Sequence, residues 1–370
     1  MGRVIVISTG GTIASRWQGA GFAAEAQGRE VMESTVVPDG VTVEVRDLFS
    51  LNSSRLTTAH QLTLLRAVHD VLADPDVDGV VVTHGTDTLE ESAFLLDLYH
   101  DDPRPVVFTG AQRAFDAPDG DGPGNLRDAL LVASTVRGLG VLVAFDGTVH
   151  AARGTVKTHT LDADAFGDPS GVRLGKIGFG KVTMLRAPRR PEPLSLRADA
   201  GTGTGTGTGT PPRVDVIAHH ADGDATLLNA AVDAGAQGLV LVGTGAGNAT
   251  PEIAEAVAKA VARGVLVALT TRVPSGPVAQ LYTLGGAVDL VAAGAVPTGT
   301  LRAGQARIAV LGALLAVGAD DAAGRVRALR HALGLETAQD HGAGHGRTVP
   351  HAARTRPAPR THEPHTAHAS

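Results

Sequence analysis

Two short segments place hydroxyls and a carboxylate where apolar runs end. The run 4–7 leads through Ser8-Thr9 into Gly10-Gly11-Thr12-Ile13-Ala14, and the run 80–82 leads into Thr83-His84-Gly85-Thr86-Asp87-Thr88. A threonine hydroxyl is a poor nucleophile until a base takes its proton, so two such tips predict an activated hydroxyl with a helper beside it. Gly10-Gly11 lets a ligand approach the backbone closely and leaves N–H groups to receive it, while Thr12 supplies the hydroxyl. A tight turn or a phosphate loop would use the same glycines, but neither G-x-G-x-x-G spacing nor a P-loop lysine is present. At the second tip, Thr86, Asp87 and Thr88 precede Glu90 and Glu91, and helix capping accounts for one or two of them. It does not account for the whole set. A hydroxyl and a carboxylate at the carboxyl end of a parallel strand sit where open α/β sheets bind ligands, and the Asp87 carboxylate suits a substrate ammonium. The base is sought in Gly154-Thr155-Val156-Lys157-Thr158. A solvated lysine is protonated at neutral pH, whereas one buried beside hydroxyls has its pKa lowered; the plain alternative is a solvated lysine on a loop.

The elements that must hold these tips follow a βα rhythm. Strands are expected at 3–9, 41–47, 78–83, 105–109 and 139–145. Helical patterns lie between them at 58–73, with Leu62, Leu65, Val68 and Leu72 on one face, and at 87–100. Near-continuous apolar strands alternating with helices mean a parallel sheet. Pro188, Pro191 and Pro193 then lead into five Gly-Thr repeats from Gly201 and on to Pro211-Pro212, which marks a flexible join. A second series follows, with strands at 213–218, 238–242 and 265–270 and helices near 224–234, 251–263 and 303–317. The expected organisation is an α/β N-terminal catalytic domain over 1–187, a linker over 188–212, a smaller α/β domain over 213–335, and a tail over 336–370. That tail gathers six of the fifteen histidines beside Pro, Arg and Thr, lacks an apolar period, and reads as disordered. His341, His345 and His351 could ligate a metal, but no element fixes their geometry.

Composition excludes several classes. The 370 residues are 43% hydrophobic, enough for two cores, yet only 3% aromatic, so those cores are expected to be built from Ala, Val and Leu. A net charge of -6 argues against nucleic acid as a partner, since phosphate binding leans on a basic surface. No cysteine is present, which removes disulfides and thiolate catalysis together. No stretch approaches the roughly 20 apolar residues of a membrane span. The first apolar run meets Gly-Gly too soon for a signal-peptide h-region, so a cytoplasmic location is expected.

The two threonine tips read much like the TGGTIA and HGTDT signatures of the asparaginase and glutaminase family of amidohydrolases, and the chain resembles that family from its first strand to about residue 318. The resemblance implies a larger parallel-sheet N-terminal domain, a smaller flavodoxin-like C-terminal α/β domain, and hydrolysis of the side-chain amide of L-asparagine without cofactor or metal. It implies that Thr12 attacks the amide and that backbone N–H groups near Gly11 and Thr86 receive the oxyanion. Asp87 then holds the α-amino group, and Lys157 completes a group with Thr86 and Asp87. Ser53 matches the family's serine for the substrate carboxylate, while Ser54 replaces a glutamine and shortens the reach. Asn248, in Gly243-Thr244-Gly245-Ala246-Gly247-Asn248, matches an asparagine that relatives offer to a neighbouring subunit, which implies a homodimer or homotetramer. Thr271-Arg272-Val273-Pro274-Ser275-Gly276 also resembles a family segment.

Two departures stand out. Relatives place a tyrosine in the mobile loop after the nucleophile, where this chain has Phe22. The glutamate that supports it from a neighbouring subunit is missing, with Thr283 in its place and Tyr282 as the residue that could take the part. The rivals to L-asparaginase are a glutaminase-asparaginase, the amidase-like subunit of a tRNA-dependent amidotransferase, and a catalytically weak amino-acid-binding protein.

Overall fold

The computed structural model describes residues 2–197 and 210–335. The runs expected to be strands form the parallel side of an eight-stranded sheet, with β4 at its edge. Strands β1 (Gly2–Gly10), β4 (Val41–Leu51), β5 (Gly79–Thr83), β6 (Val106–Thr109) and β7 (Val141–Phe145) are parallel, in the order β4-β1-β5-β6-β7. The edge beyond β7 is antiparallel and was not legible as strands: β8 (Thr148–Ala151), β11 (Gly175–Gly178) and β12 (Lys181–Met184) continue the sheet. Two small ribbons stand apart from it. One is β2 (Ser15–Trp17) with β3 (Phe22–Ala24), just after the Thr12 tip. The other is β9 (Val156–Lys157) with β10 (Phe166–Gly167), which carries Lys157.

Alternation along the parallel strands decides which helix covers which face. Ile5, Ile7, Val80 and Val82 point to one side and pack with α2 (Thr58–Leu72) and α3 (Leu89–Tyr99). Val4, Val6, Val81 and Leu142 point to the other and pack with α4 (Gly122–Thr135), beside the short α1 (Gly28–Glu33). Helix α4 was missed because Gly122-Pro123-Gly124 reads as a loop, although proline is tolerated in a first turn, where its missing N–H would have had no partner.

The second sheet is parallel and four-stranded, in sequential order β13 (Val214–Ala218), β14 (Gly238–Gly243), β15 (Leu266–Thr271) and β16 (Val296–Pro297). Helices α5 (Thr226–Asp233), α6 (Pro251–Ala262) and α7 (Ala287–Ala292) cover one face. The other face meets α8 (Ala303–Ala316), with α9 (Ala322–Ala332) behind it. Helix α8 is apolar all round and therefore needs cover on every side. It finds this between α3 and the second sheet, where the Tyr99 hydroxyl donates to Gly312 O at 2.8 Å. One apolar cluster thus contains residues of both sheets, and the described residues through Leu335 form one compact unit. Residues 198–209, which hold all but the last residue of the Gly-Thr repeat in the expected linker, and the histidine-rich tail expected to be disordered lie outside the described residues. Among the described residues no helix is long and apolar enough to cross a membrane.

Candidate active site

The two threonine tips meet because two glycines allow it. Gly10 and Gly11 turn the chain out of β1 at φ 92° and 85°, a region side chains rarely adopt. A Cβ at Gly11 would lie 2.3 Å from Gly85 Cα, so backbone touches backbone where the tips of β1 and β5 adjoin. Gly85 is pressed from its other side by Ser53: a Cβ there would lie 2.6 Å from Ser53 Oγ. Thr12 opens a single 3-10 turn (Thr12–Ala14), and among the described residues its hydroxyl makes no hydrogen bond. The Gly11 N–H, expected to be free for a ligand, is instead held by Leu51 O at 2.9 Å, because β4 runs four residues past its expected end at 47 and still flanks the tip. Among the described residues the amides of Thr12 and Thr86 make no hydrogen bond, and neither do those of Ile13, Gly85, Asp87 and Thr88.

At the second tip the structure sets the capping explanation aside. Thr88 occupies the N-cap position of α3 but makes no cap bond; its hydroxyl donates to Ser53 O at 2.9 Å. The buried Thr86 donates its hydroxyl hydrogen to Gln112 Oε1 at 3.1 Å and accepts from Lys157 Nζ at 2.8 Å. Lys157 Nζ also reaches Asp87 Oδ1 at 3.4 Å. With Asp87 59% and Lys157 19% exposed, that pair contributes about 0–1 kcal/mol, so its interest lies in placement and not in stability. Three of the expected residues, Thr86, Asp87 and Lys157, are therefore directly joined, and Gly11 and Ser53 touch the same tip. Ser53 Oγ is buried without a partner, while Ser54 faces solvent.

Several residues that position the group were not singled out from sequence. Gln112 is aimed by its own amide, which donates to Thr160 O at 3.3 Å and Asp162 O at 3.0 Å. Glu90 accepts the Lys157 backbone N–H at 2.6 Å, and burial pushes its carboxyl up to about 7. Gln305, at the start of α8, holds the turn before Lys157: its Oε1 accepts from Gly154 N at 2.7 Å, and its Nε2 donates to Ala152 O and Thr155 O at 2.7 and 3.0 Å. Glu90 was hidden by its place in a helix first turn, where an acidic residue already has a structural reason to be. Gln305 gave no signal, since nothing local says what a buried amide will face.

The chain matches the family model "Asparaginase, N-terminal" over residues 3–190 and the model "Glutaminase/Asparaginase C-terminal domain" over residues 213–326. The chain belongs to the asparaginase family. It is 35% identical over 299 residues to an L-asparaginase of Bacillus licheniformis, covering 80% of this chain and 89% of that one. It is 37% identical over 322 residues to a probable L-asparaginase of Deinococcus radiodurans, covering 86% and 94%. Among solved structures it resembles a probable cytoplasmic L-asparaginase from Campylobacter jejuni, with a TM-score of 0.77 and 27% identity over 90% of this chain and 99% of that one. The family membership makes the protein an amidohydrolase with the mixed α/β architecture described above.

The other residues expected at the site, Asn248, Tyr282 and Phe22, make different contacts. Asn248 accepts from Ala287 N at 3.3 Å at the start of α7, and Thr244 and Asn248 close the loop between them as an isolated bridge. Tyr282 is 58% exposed, with Leu281 and Leu284 beside it at 68% and 82%. Phe22, 54% exposed, packs edge-on against Trp17 at 5.1 Å on the ribbon after Thr12. Among the described residues no hydrogen bond or ring contact joins Asn248, Tyr282 or Phe22 to the Thr86 and Lys157 group.

Proposed function

We propose that the protein is an L-asparaginase that hydrolyses L-asparagine to L-aspartate and ammonia through Thr12. The observation that carries the reading is the Lys157–Thr86–Asp87 contact set lying against the Gly11–Gly85 junction, which brings a lysine, a hydroxyl and a carboxylate to the tip next to Thr12. Thr12 Oγ adds to the side-chain amide carbon. The open Thr12 and Thr86 N–H groups receive the oxyanion, the C–N bond breaks, and the proton lost from Thr12 leaves with nitrogen as ammonia. A water then attacks the resulting aspartyl ester, giving its proton to the Thr86 and Lys157 pair, and aspartate departs as Thr12 regains its hydrogen. Asp87 holds the α-ammonium, and Ser53, with Ser54 at its rim, faces the α-carboxylate. No cofactor or metal enters the scheme.

Asn248 and Tyr282 complete a site in a neighbouring copy, which makes the enzyme a homodimer or homotetramer; their exposed or loop-closing places in this chain support that reading. We assign the catalytic group to 1–187, the join to 188–212 and the partner-facing part to 213–335, in a cytoplasmic enzyme. Glutamine is a second substrate: the exposed Ser54 is short where a glutamine would fill space, and the C-terminal domain matches a glutaminase and asparaginase family. Ammonia release measured with asparagine and with glutamine, in the wild type and in Thr12→Ala, tests the proposal. Turnover with asparagine that vanishes in Thr12→Ala while aspartate still binds is expected; ammonia release at the wild-type rate from Thr12→Ala would overturn it.

A further inference from the structure

The peptide between Gly85 and Thr86 is gripped from its carbonyl side. His84 is wholly buried, yet both ring nitrogens have partners: Nδ1 lies 2.7 Å from Gly85 O, and Nε2 lies 3.0 Å from Ser92 Oγ. A carbonyl oxygen can only accept, so Nδ1 carries the hydrogen, and the bare Nε2 takes the hydroxyl hydrogen of Ser92. Gln61, also buried, closes the chain by donating its Nε2–H to Ser92 Oγ at 3.3 Å. Each link has one direction, from Gln61 through Ser92 and His84 to the Gly85 carbonyl. Burial pushes the His84 pKa down to about 4, which keeps the ring neutral at ordinary pH. A leucine would fill the same apolar space without desolvating two ring nitrogens, so the imidazole calls for a polar reason.

That reason lies on the far side of the peptide. A trans peptide carries its C=O and N–H in opposite directions, and every described peptide is trans. With the Gly85 carbonyl turned to His84, the Thr86 N–H faces away from it, and among the described residues no hydrogen bond occupies that donor. The Gly85 Cα from which this peptide starts is itself packed between Gly11 and Ser53. An oxyanion donor acts through being aimed before the charge forms, which makes its orientation worth protecting.

We propose that His84 is a positioning residue: its Nδ1–H bond to the Gly85 carbonyl aims the Thr86 N–H at the oxyanion, and Ser92 with Gln61 fixes the tautomer that makes this bond. The proposal rests on the reading of Thr12 as nucleophile and adds to it a buried chain remote from the substrate. Two near-isosteric variants divide the roles of the ring. His84→Asn keeps a donor at the Nδ1 position and loses the Nε2 contact; His84→Gln does the reverse. His84→Gln is expected to lose about 10²–10³ in kcat, the usual loss for one oxyanion donor, with KM for asparagine nearly unchanged. His84→Asn should keep kcat within several-fold of wild type. A His84 that served packing alone would give two variants whose kcat falls together, in step with Tm, and that result or a wild-type kcat in His84→Gln would overturn the proposal. If neither variant folds, the imidazole ¹⁵N spectrum of the wild-type protein decides: hydrogen on Nδ1 is expected, and hydrogen on Nε2 would overturn it. Thr12→Ala is assayed alongside. Wild-type ammonia release there condemns the reaction scheme itself, whereas a dead Thr12→Ala beside a fully active His84→Gln condemns the role of His84 alone.

Discussion

Both sheets of this molecule end in threonine- and glycine-bearing loops at the carboxyl ends of parallel strands, but they use them differently. In the first, polar side chains converge on one another across sequence: Lys157 reaches 71 positions back to Thr86, and Thr88 reaches back to Ser53. In the second the bonds run between a side chain and backbone, within one loop or to a neighbouring one. Thr244 Oγ1 donates to Asn248 O at 3.1 Å, Thr271 Oγ1 to Gly245 O at 2.6 Å, and Asn248 receives Ala287 N. Beside them Leu281, Tyr282 and Leu284 stand exposed. Shared topology thus supplies a location for chemistry, while convergence of side chains from separate elements decides which location has it. Under the proposed function, the second set acts by being presented to another copy.

The comparison breaks most readily at Lys157. Lys157→Met and Thr86→Val remove the only lysine and the only hydroxyl joined in this group among the described residues, and each should lower kcat by about 10²–10⁴ in a steady-state ammonia assay. Activity near wild type in either would mean that the converging group is structural after all. Asn248→Ala should act less strongly and in a different parameter. KM should rise more than Tm falls, and dilution to monomers should remove activity, as followed by light scattering beside the assay. An active monomer would return Asn248 to the role of a loop cap.

A smaller effect is expected at Phe22. A phenyl ring can close over a ligand but cannot take a proton, so Phe22→Tyr should raise kcat with little change in KM, and Tyr282→Phe should lower it. Silence in both would exclude the two aromatics from proton transfer. The mildest change concerns Glu90. Its carboxyl, near 7 in the fold against 4.5 when free, binds its proton more tightly in the folded chain between those values. Its contribution to stability is therefore largest on the acid side and is lost as pH rises from about 4.5 to 7. Glu90→Gln should flatten that part of the Tm against pH curve while leaving the Lys157 N–H with an acceptor; an unchanged slope would show that Glu90 does not titrate there.

Much of this was legible before the fold. Apolar runs at 3–9, 78–83 and 105–109 read as buried strands, and the helical pattern expected at 58–73 is α2, capped by Thr57 through His60 N. Thr86, Asp87 and Lys157 could be named because their types are chemically distinctive at strand ends. The antiparallel edge from β8 to β12 escaped because its strands are only four residues each, too short for a period to stand out. Helix α9 escaped because its buried face is discontinuous, with Arg325 inside it. The full hydrogen bonding of Gly11, the clamp from Gln305 and the chain behind His84 all depend on partners more than thirty positions away or on peptide orientation, which no local pattern encodes.

The central claim is that Thr12 carries the acyl group, and the most direct measurement is to look for it there. Wild-type protein turning over asparagine is quenched in acid within the first turnovers and digested after arginine, and the peptide between Arg3 and Arg16 is fragmented by mass spectrometry. An aspartyl ester on Thr12, absent from Thr12→Ala and lost on incubation before the quench, is the predicted result. An ester on Thr86 instead, or a burst of ammonia with Thr12 unmodified, would contradict it.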